Sequence, residues 1–434
     1  MPDFLLLLAA SLLLLYIIWQ LINLHAWYKT VARPSTELPT TDYPLPTIAL
    51  LVPFRNEAEN LSRLSVSLLA QDYPGQLELI FIDDHSTDGG AELLPRSATL
   101  LKLKDYLKGE LTVAHKKAAL THAIASTKAD IIITTDADCH WPPDRVSRIA
   151  AAFANGAAIV LGPVLIAPAD GFCNAFQALD LAAYQFLTAA TAHQGRPALA
   201  NGANFAFYRE LFEAVGGYQG VDHLPSGDDV LLLHKFYQPQ LWPTGNQKLR
   251  PPRAAAKLIE NQESRISSAF NTSYRRAITP QVISNGVQRS PRLFADSTTY
   301  PLPTTHYAAN AAITTKPVNG WRALWRQRLR WAGKAGNYNN PKLSFAQALA
   351  FALSAAIVIS LIIFPFYPRP RLIIMLWGGK ILVDLLCLWP VMKYFGQAGT
   401  MKWYPLSAII YPFFLFGVGT AALLGFTTKW KGRR

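Results

Sequence analysis

Four apolar stretches limit what this chain can fold into more than any other feature. A helix needs about 20 apolar residues to cross the hydrocarbon core of a membrane. Phe4 to Leu24 reads FLLLLAASLLLLYIIWQLINL, and comparable runs lie near 343–366, 372–394 and 404–426. A large polar section separates the first from the other three. The first run lacks a basic n-region and a small-residue cleavage site, so it reads as an uncleaved anchor rather than a signal peptide. Trp27, Tyr28, Lys29 and Arg33 follow it, an aromatic belt with positive charge. Charge in that place puts the middle section on the cytoplasmic face, at a bacterial inner membrane. A net charge of +13 beside a positive mean hydropathy of +0.15 fits the same picture. Three later spans would leave the basic tail KWKGRR outside, against that rule; either it is outside, or one of the three segments is re-entrant or interfacial. Lys380 and Asp384 stand one turn apart in the third run and suit mutual neutralisation inside a bundle. The cysteines, Cys139, Cys173 and Cys387, are scattered and have no metal-type or disulfide spacing, as expected in a reducing compartment.

From about Pro46 the polar section alternates short β-rich runs with helical ones. TIALLVP (47–53), LELIFIDD (77–84), LTVAH (111–115), DIIITTDAD and AIVLGPV (158–164) read as strands. Continuous apolar strands separated by helices make an α/β fold, a mainly parallel sheet covered on both faces. Ligands bind such sheets at the carboxyl ends of the strands. The acidic residues fall there: Glu57 after the first run, Asp83 and Asp84 after the second, Asp136 and Asp138 after a later one. Each has a bland alternative. Asp84 with Ser86 and Thr87 suits a turn, Asp144 after Pro-Pro suits a cap, and a lone Asp-x-Asp is a weak signal. Their shared placement outweighs those readings. Two carboxylates with oxygen ligands suit Mg²⁺ or Mn²⁺, which shares its remaining positions with phosphate oxygens and water. No Gly-x-x-x-x-Gly-Lys-Ser/Thr is present, which argues against a P-loop ATPase or kinase.

The motifs VPFRNEAEN (52–60), FIDDHSTDGG (81–90), HKKAAL (115–120), TTDADC (134–139), NGANFAFYRELFEAVGGYQG (201–220), GDDVLLLHK (227–235) and WRQRLRWAGK (325–334) stand in order. In that order the chain resembles the membrane-bound family-2 glycosyltransferases, over about 46–236 and 306–340. The resemblance implies a GT-A type fold, with a mixed, mainly parallel sheet flanked by transmembrane helices. It also implies a nucleotide-diphosphate sugar donor, most often a UDP-sugar, and a lipid-linked or polysaccharide acceptor. By it, Glu57 and Asp84 would hold the nucleoside, Lys117 would lie near the diphosphate, Asp136 would contact the donor and Asp138, with Asp136, the metal. Asp229 would be the catalytic base and Asp228 its supporting partner, free to cap the helix that follows. Gln327, Arg330 and Trp331 would sit near the diphosphate and the acceptor channel. Trp321, Leu324 and Trp325 among Arg322, Arg326 and Arg328 also suit an interfacial helix.

These readings divide the chain into an anchor (1–28), a catalytic domain (46–236), a polar basic insertion (237–305), the end of the catalytic domain (306–340) and a C-terminal membrane region (341–428). The insertion is rich in Pro, Ser, Thr, Asn and basic residues and reads as flexible. The small C-terminal region favours single transfer to a lipid over polymer export. A processive polysaccharide synthase, a catalytically silent scaffold and a transporter built on Lys380 and Asp384 remain rivals, and no feature points to nucleic acid.

Overall fold

The computed structural model describes residues 2–32, 38, 45–109, 112–238, 241, 303–338 and 340–426. Most of the insertion and all of the basic tail lie outside the described residues.

The strands are β1 (Ile48–Phe54), β2 (Leu77–Asp83), β3 (Thr99–Lys102), β4 (Ile131–Thr134), β5 (Cys139–His140), β6 (Ile159–Leu161), β7 (Val164–Ile166), β8 (Phe205–Tyr208), β9 (Thr305–Tyr307) and β10 (Ile313–Thr315). The helices of the same section are α1 (Pro2–Val31), α2 (Ala58–Leu69), α3 (Leu103–Leu107), α4 (His115–Ser126), α5 (Arg145–Ala154), α6 (Phe172–His193), α7 (Arg209–Ala214), α8 (Val230–Phe236) and α9 (Gly320–Ala332). Three long helices close the chain: α10 (Pro341–Ile363), α11 (Pro370–Tyr394) and α12 (Tyr404–Leu423).

Seven strands form the main sheet in the order β3-β2-β1-β4-β8-β6-β9, and β5-β10-β7 form a second, small one. β1 pairs in parallel with β2 and β4, whereas β8 runs antiparallel to β4 and β6. The sheet is therefore mixed and mainly parallel. Alternate residues of β1 serve two cores: Ala49 and Leu51 face one side, Ile48, Leu50, Val52 and Phe54 the other. That is the period-2 geometry of a strand buried on both faces.

Two strand expectations need correction. Residues 112–114 of LTVAH form no strand; the edge strand is Thr99–Lys102, and α4 begins at His115. An edge strand needs apolar side chains on one face at most, so TLLK lacks the continuous apolar signature that marks a central strand. AIVLGPV splits at Gly162 and Pro163 into β6 of the main sheet and β7 of the small one, since proline cannot donate to a continuing ladder. The two ends of the insertion come together: Tyr237, just after α8, meets Thr305 of β9 with its hydroxyl 2.6 Å from Thr305 Oγ1.

Among the described residues, four helices are long and apolar enough to cross a membrane. Their outward residues, such as Leu7, Ile22, Ile374 and Leu386, are exposed, as expected of a surface meant for lipid. Lys380 and Asp384 are paired, and the Tyr16 hydroxyl donates to the other Asp384 oxygen at 2.6 Å. The membrane helices are not merely tethered to the sheet. Trp27 of α1, Val391 and Met392 of α11 and Tyr404 of α12 are buried in the same core as Ala49, Ile132 and Phe207. Gly417 of α12 makes another junction, because a Cβ there would lie 2.7 Å from the Trp325 ring of α9.

Candidate active site

The carboxyl ends of β1, β2 and β4 open on one side of the sheet, and the acidic residues that follow them gather there. Glu57 stands at the N-cap position of α2 without a side-chain capping bond, and its Oε2 accepts from Asn60 Nδ2 at 2.6 Å. Asp83, rather than Asp84, makes the turn after β2: its Oδ1 accepts from the Ser86 backbone N–H at 2.8 Å. That leaves Asp84, 5% exposed, facing two imidazoles, with His85 Nδ1 at 3.0 Å and His115 Nδ1 at 3.1 Å from its Oδ1. His85 and His115 were not foreseen from the sequence. Asp144 lies apart, ion-paired with Arg145 and Arg148 at the start of α5.

Asp136 and Asp138 leave β4 in a loop held by the short β5–β10 pairing. Burial, then the charges of Asp136 and Glu57, push the Asp138 carboxyl up to about 6, against a hydrogen bond from Thr315. A buried carboxylate crowded by like charge is what a divalent cation relieves, and the donors are the hard oxygens such a cation prefers. These residues therefore fit the ion that the sequence implied. Asp84, His85 and His115 also converge closely enough to hold a metal, with a mixed nitrogen and oxygen donor set.

Lys116 joins the two acidic groups. Its Nζ lies 2.7 Å from Asp136 Oδ1 and 3.0 Å from Asp228 Oδ2. Burial works to lower its pKa, but Asp136 and Asp228 hold it well above the usual lysine range. Lys117, expected near the diphosphate, does not line the cleft. It is buried, and its Nζ donates to the backbone carbonyls of Val221 and Leu224 at 2.6 and 3.0 Å. Successive helical residues point about 100° apart, so only one lysine of the pair reaches the cleft.

The Gly-Asp-Asp segment opens α8. Asp229, not Asp228, is the capping residue: Oδ1 accepts from Val230 N–H at 2.7 Å and Oδ2 from Gly202 N–H at 3.0 Å. Burial and then Asp228 raise the Asp229 carboxyl above its ordinary value. Burial works the same way on Asp228, but Lys116 and then Lys334 hold it below that value. The two adjacent carboxyls are thus driven apart. Gly202 allows this crowding, since a Cβ there would stand 2.8 Å from Asp228 Oδ2.

Helix α9 forms the opposite wall. Gln327, Arg330 and Trp331 line the cavity, as do Glu57, Asp84, Asp136, Asp138, Asp228 and Asp229. The cavity, of about 1490 Å³, does not stop at the polar groups. It continues between the membrane helices, lined by Phe351 of α10, Ile381 and Leu388 of α11, and Phe414, Leu415 and Ala422 of α12.

A mixed, mainly parallel sheet with carboxylates at its strand ends, roofed by an Arg- and Trp-bearing helix, defines a GT-A type fold carried with four candidate membrane helices among the described residues. A mannosyltransferase from Pyrobaculum calidifontis, solved with GDP-mannose and Mn²⁺, shares this fold over 94% of this chain and 99% of its own, with a TM-score of 0.51 at 18% identity. The family model for glycosyl transferase family 2 matches residues 49–216. An N-acetylglucosaminyltransferase from Bradyrhizobium sp. is 31% identical over 140 residues, which are 28% of this chain and 86% of that protein. The chain belongs to glycosyl transferase family 2. It is also 26% identical over 231 residues to a beta-monoglucosyldiacylglycerol synthase from Synechocystis sp., a match spanning 50% of this chain and 48% of that protein's length.

Proposed function

We propose that this protein transfers a sugar from a nucleotide-diphosphate donor, most simply a UDP-sugar, to a lipid acceptor at the cytoplasmic face of the membrane. The observation that carries the reading is the cavity, which runs unbroken from the strand-end carboxylates to the apolar walls of α10, α11 and α12. A water-soluble donor and a membrane-borne acceptor need such a two-ended space. The similarity to a lipid glucosyltransferase agrees with it.

In this reading Glu57 and Asp84 receive the nucleoside, and Asp136 and Asp138 hold Mg²⁺ or Mn²⁺. The ion, when bound, supplies positive charge against the diphosphate that leaves. Lys116 and, from the wall formed by α9 and the residues just after it, Arg330 and Lys334 add positive charge around the diphosphate. Asp229, with its raised pKa, takes the proton of the acceptor hydroxyl, while Asp228 stays ionised and holds Lys116 in place. Each Asp229 oxygen accepts one backbone N–H, which orients the carboxylate and leaves a lone pair on each for the acceptor. Attack in one displacement inverts the sugar's anomeric centre. The domain division follows: residues 46–236 with 306–340 form the catalytic unit, 1–28 the anchor and 341–428 the remaining membrane part.

The test uses membranes carrying the protein, a panel of radiolabelled nucleotide sugars and extracted lipids. Label should pass into the organic phase from one donor class and stop in excess EDTA, returning with Mn²⁺ or Mg²⁺. Asp138→Ala should abolish it. Label appearing only in water-soluble polymer would overturn the lipid assignment. Full activity in EDTA would overturn the metal assignment, and nucleotide binding without any transfer would leave a silent scaffold.

A further inference from the structure

Asp180 is the lone acidic residue of α6, in a helix that reads FCNAFQALDLAAYQFLTAATAH. Its carboxylate has two partners from two other elements. Arg328 of α9 meets Asp180 Oδ2 through Nε, and the Tyr411 hydroxyl of α12 donates to Oδ1 at 3.2 Å. The pair is nearly closed to solvent, with side chains 10% and 13% exposed for Arg328 and Asp180. The far end of the guanidinium continues the chain of contacts. Nη1 donates to Gln327 Oε1 at 2.6 Å, and the guanidinium carbon sits 4.1 Å over the Trp331 ring.

This arrangement fixes the orientation of an amide. A guanidinium has donors and no acceptor, so the Gln327 atom that faces it must be oxygen. The Gln327 nitrogen, with its two N–H donors, is then turned away from Arg328, and Gln327 is a cavity-lining residue. Without the anchor at Asp180, Arg328 is free to swing and the amide to turn over, offering a carbonyl where a donor is needed.

We propose that Asp180 is a positioning residue: it holds Arg328, and through Arg328 it keeps the N–H face of Gln327 presented to oxygen atoms of the substrate. The role rests on the glycosyl-transfer reading above. It goes beyond that reading by assigning a function to Asp180, Arg328 and Tyr411. Tyr411 extends the device into the membrane part, since it stands on α12, one of the walls of the acceptor end.

A double-mutant cycle separates this role from that of an ordinary buried ion pair. Gln327→Glu keeps an oxygen toward Arg328 but has no N–H to offer, so it should lower kcat/KM to a reduced but measurable level without lowering the melting temperature. Asp180→Asn should lower kcat/KM for the donor about tenfold, inside the coupling range for residues in one network. In the Gln327→Glu background the same change should cost less than twofold, because the group it positions has gone. Equal cost in both backgrounds would overturn the proposal, as would Asp180→Asn with wild-type turnover. Tyr411→Phe removes one hydrogen bond and keeps the ion pair. It should lower kcat/KM a few-fold in the same non-additive way, and it carries the cycle if Asp180→Asn fails to fold. Absence of transfer by the wild-type protein would instead sink the glycosyl-transfer reading itself.

Discussion

Lys116 offers the most direct test of the charge balance in the cleft. In Lys116→Met the aliphatic stem remains and the ammonium is lost, so two carboxylates lose their shared counter-charge. The contact with Asp136 is open to water, that side chain being 43% exposed, and counts for little. The contact with Asp228, 11% exposed at the side chain, is the stronger of the two. Removing one partner of a buried pair typically costs about 3–5 kcal/mol. Lys334 remains near Asp228, so the lower end, about 3 kcal/mol, is the better figure for this site. If it falls wholly on the transition state, turnover drops somewhat more than a hundredfold. The pH profile gives a second reading. Lys116 also holds down the pKa of the base Asp229, so without it that carboxyl keeps its proton to higher pH, and the acid limb of the rate profile must move upward. The assay is initial-rate transfer in reconstituted membranes from pH 5 to 8, with melting curves on the same samples. Lys117→Met is the control: it should lower the melting temperature, by releasing the Val221 and Leu224 carbonyls, with a smaller effect on the turnover of folded protein. An unchanged acid limb in Lys116→Met, with turnover within threefold of wild type, would refute the argument.

Other outcomes follow from the same geometry. Asp229→Asn should reduce transfer at least about a hundredfold, the range of general-base catalysis, while donor affinity measured by calorimetry stays near wild type; an inactive Asp228→Asn beside an active Asp229→Asn would reverse the roles. Gly202→Ala should cut turnover sharply with little loss of stability, because the added methyl displaces the end of the Asp228 side chain rather than backbone; turnover equal to wild type would show that the carboxylate can move freely. His234 is buried, its Nε2 lies 3.0 Å from the Ala198 carbonyl, and burial pushes its pKa down to about 4. The unfolded chain takes up that proton near pH 6.5 and the folded one only near 4, so stability should fall as pH drops through this window, by roughly 3 kcal/mol in all. Melting curves of His234→Gln should show a flatter acid limb, and an unchanged slope would remove His234 as the cause.

The sequence carried the strand-end carboxylates plainly, because each follows an apolar run whose length and composition mark a central strand. The four membrane helices were legible for a similar reason, since their pattern needs no tertiary context. Other features depend on direction, which composition does not encode. Two adjacent lysines in HKKAAL look equivalent until the start of α4 is fixed, and that start decides which one reaches the cleft. In Gly-Asp-Asp, the identity of the capping residue depends on where Gly202 brings its N–H. Asp180 had a signal of a kind, one acid in an otherwise uncharged stretch of helix. Its partner Arg328 was hidden among neighbouring arginines of a segment that reads equally well as a headgroup-facing surface.

The apolar end of the cavity has a practical consequence for handling the protein. A space lined by Phe351, Phe414 and Leu415 and open to an acidic cleft has the polarity to take an amphiphile with an apolar chain and a polar head. Solubilising detergents are such molecules, so a micelle that preserves the fold also delivers a competitor for the acceptor. Activity in detergent should then fall with detergent concentration in a way that added acceptor reverses, and rates taken in lipid nanodiscs should exceed them.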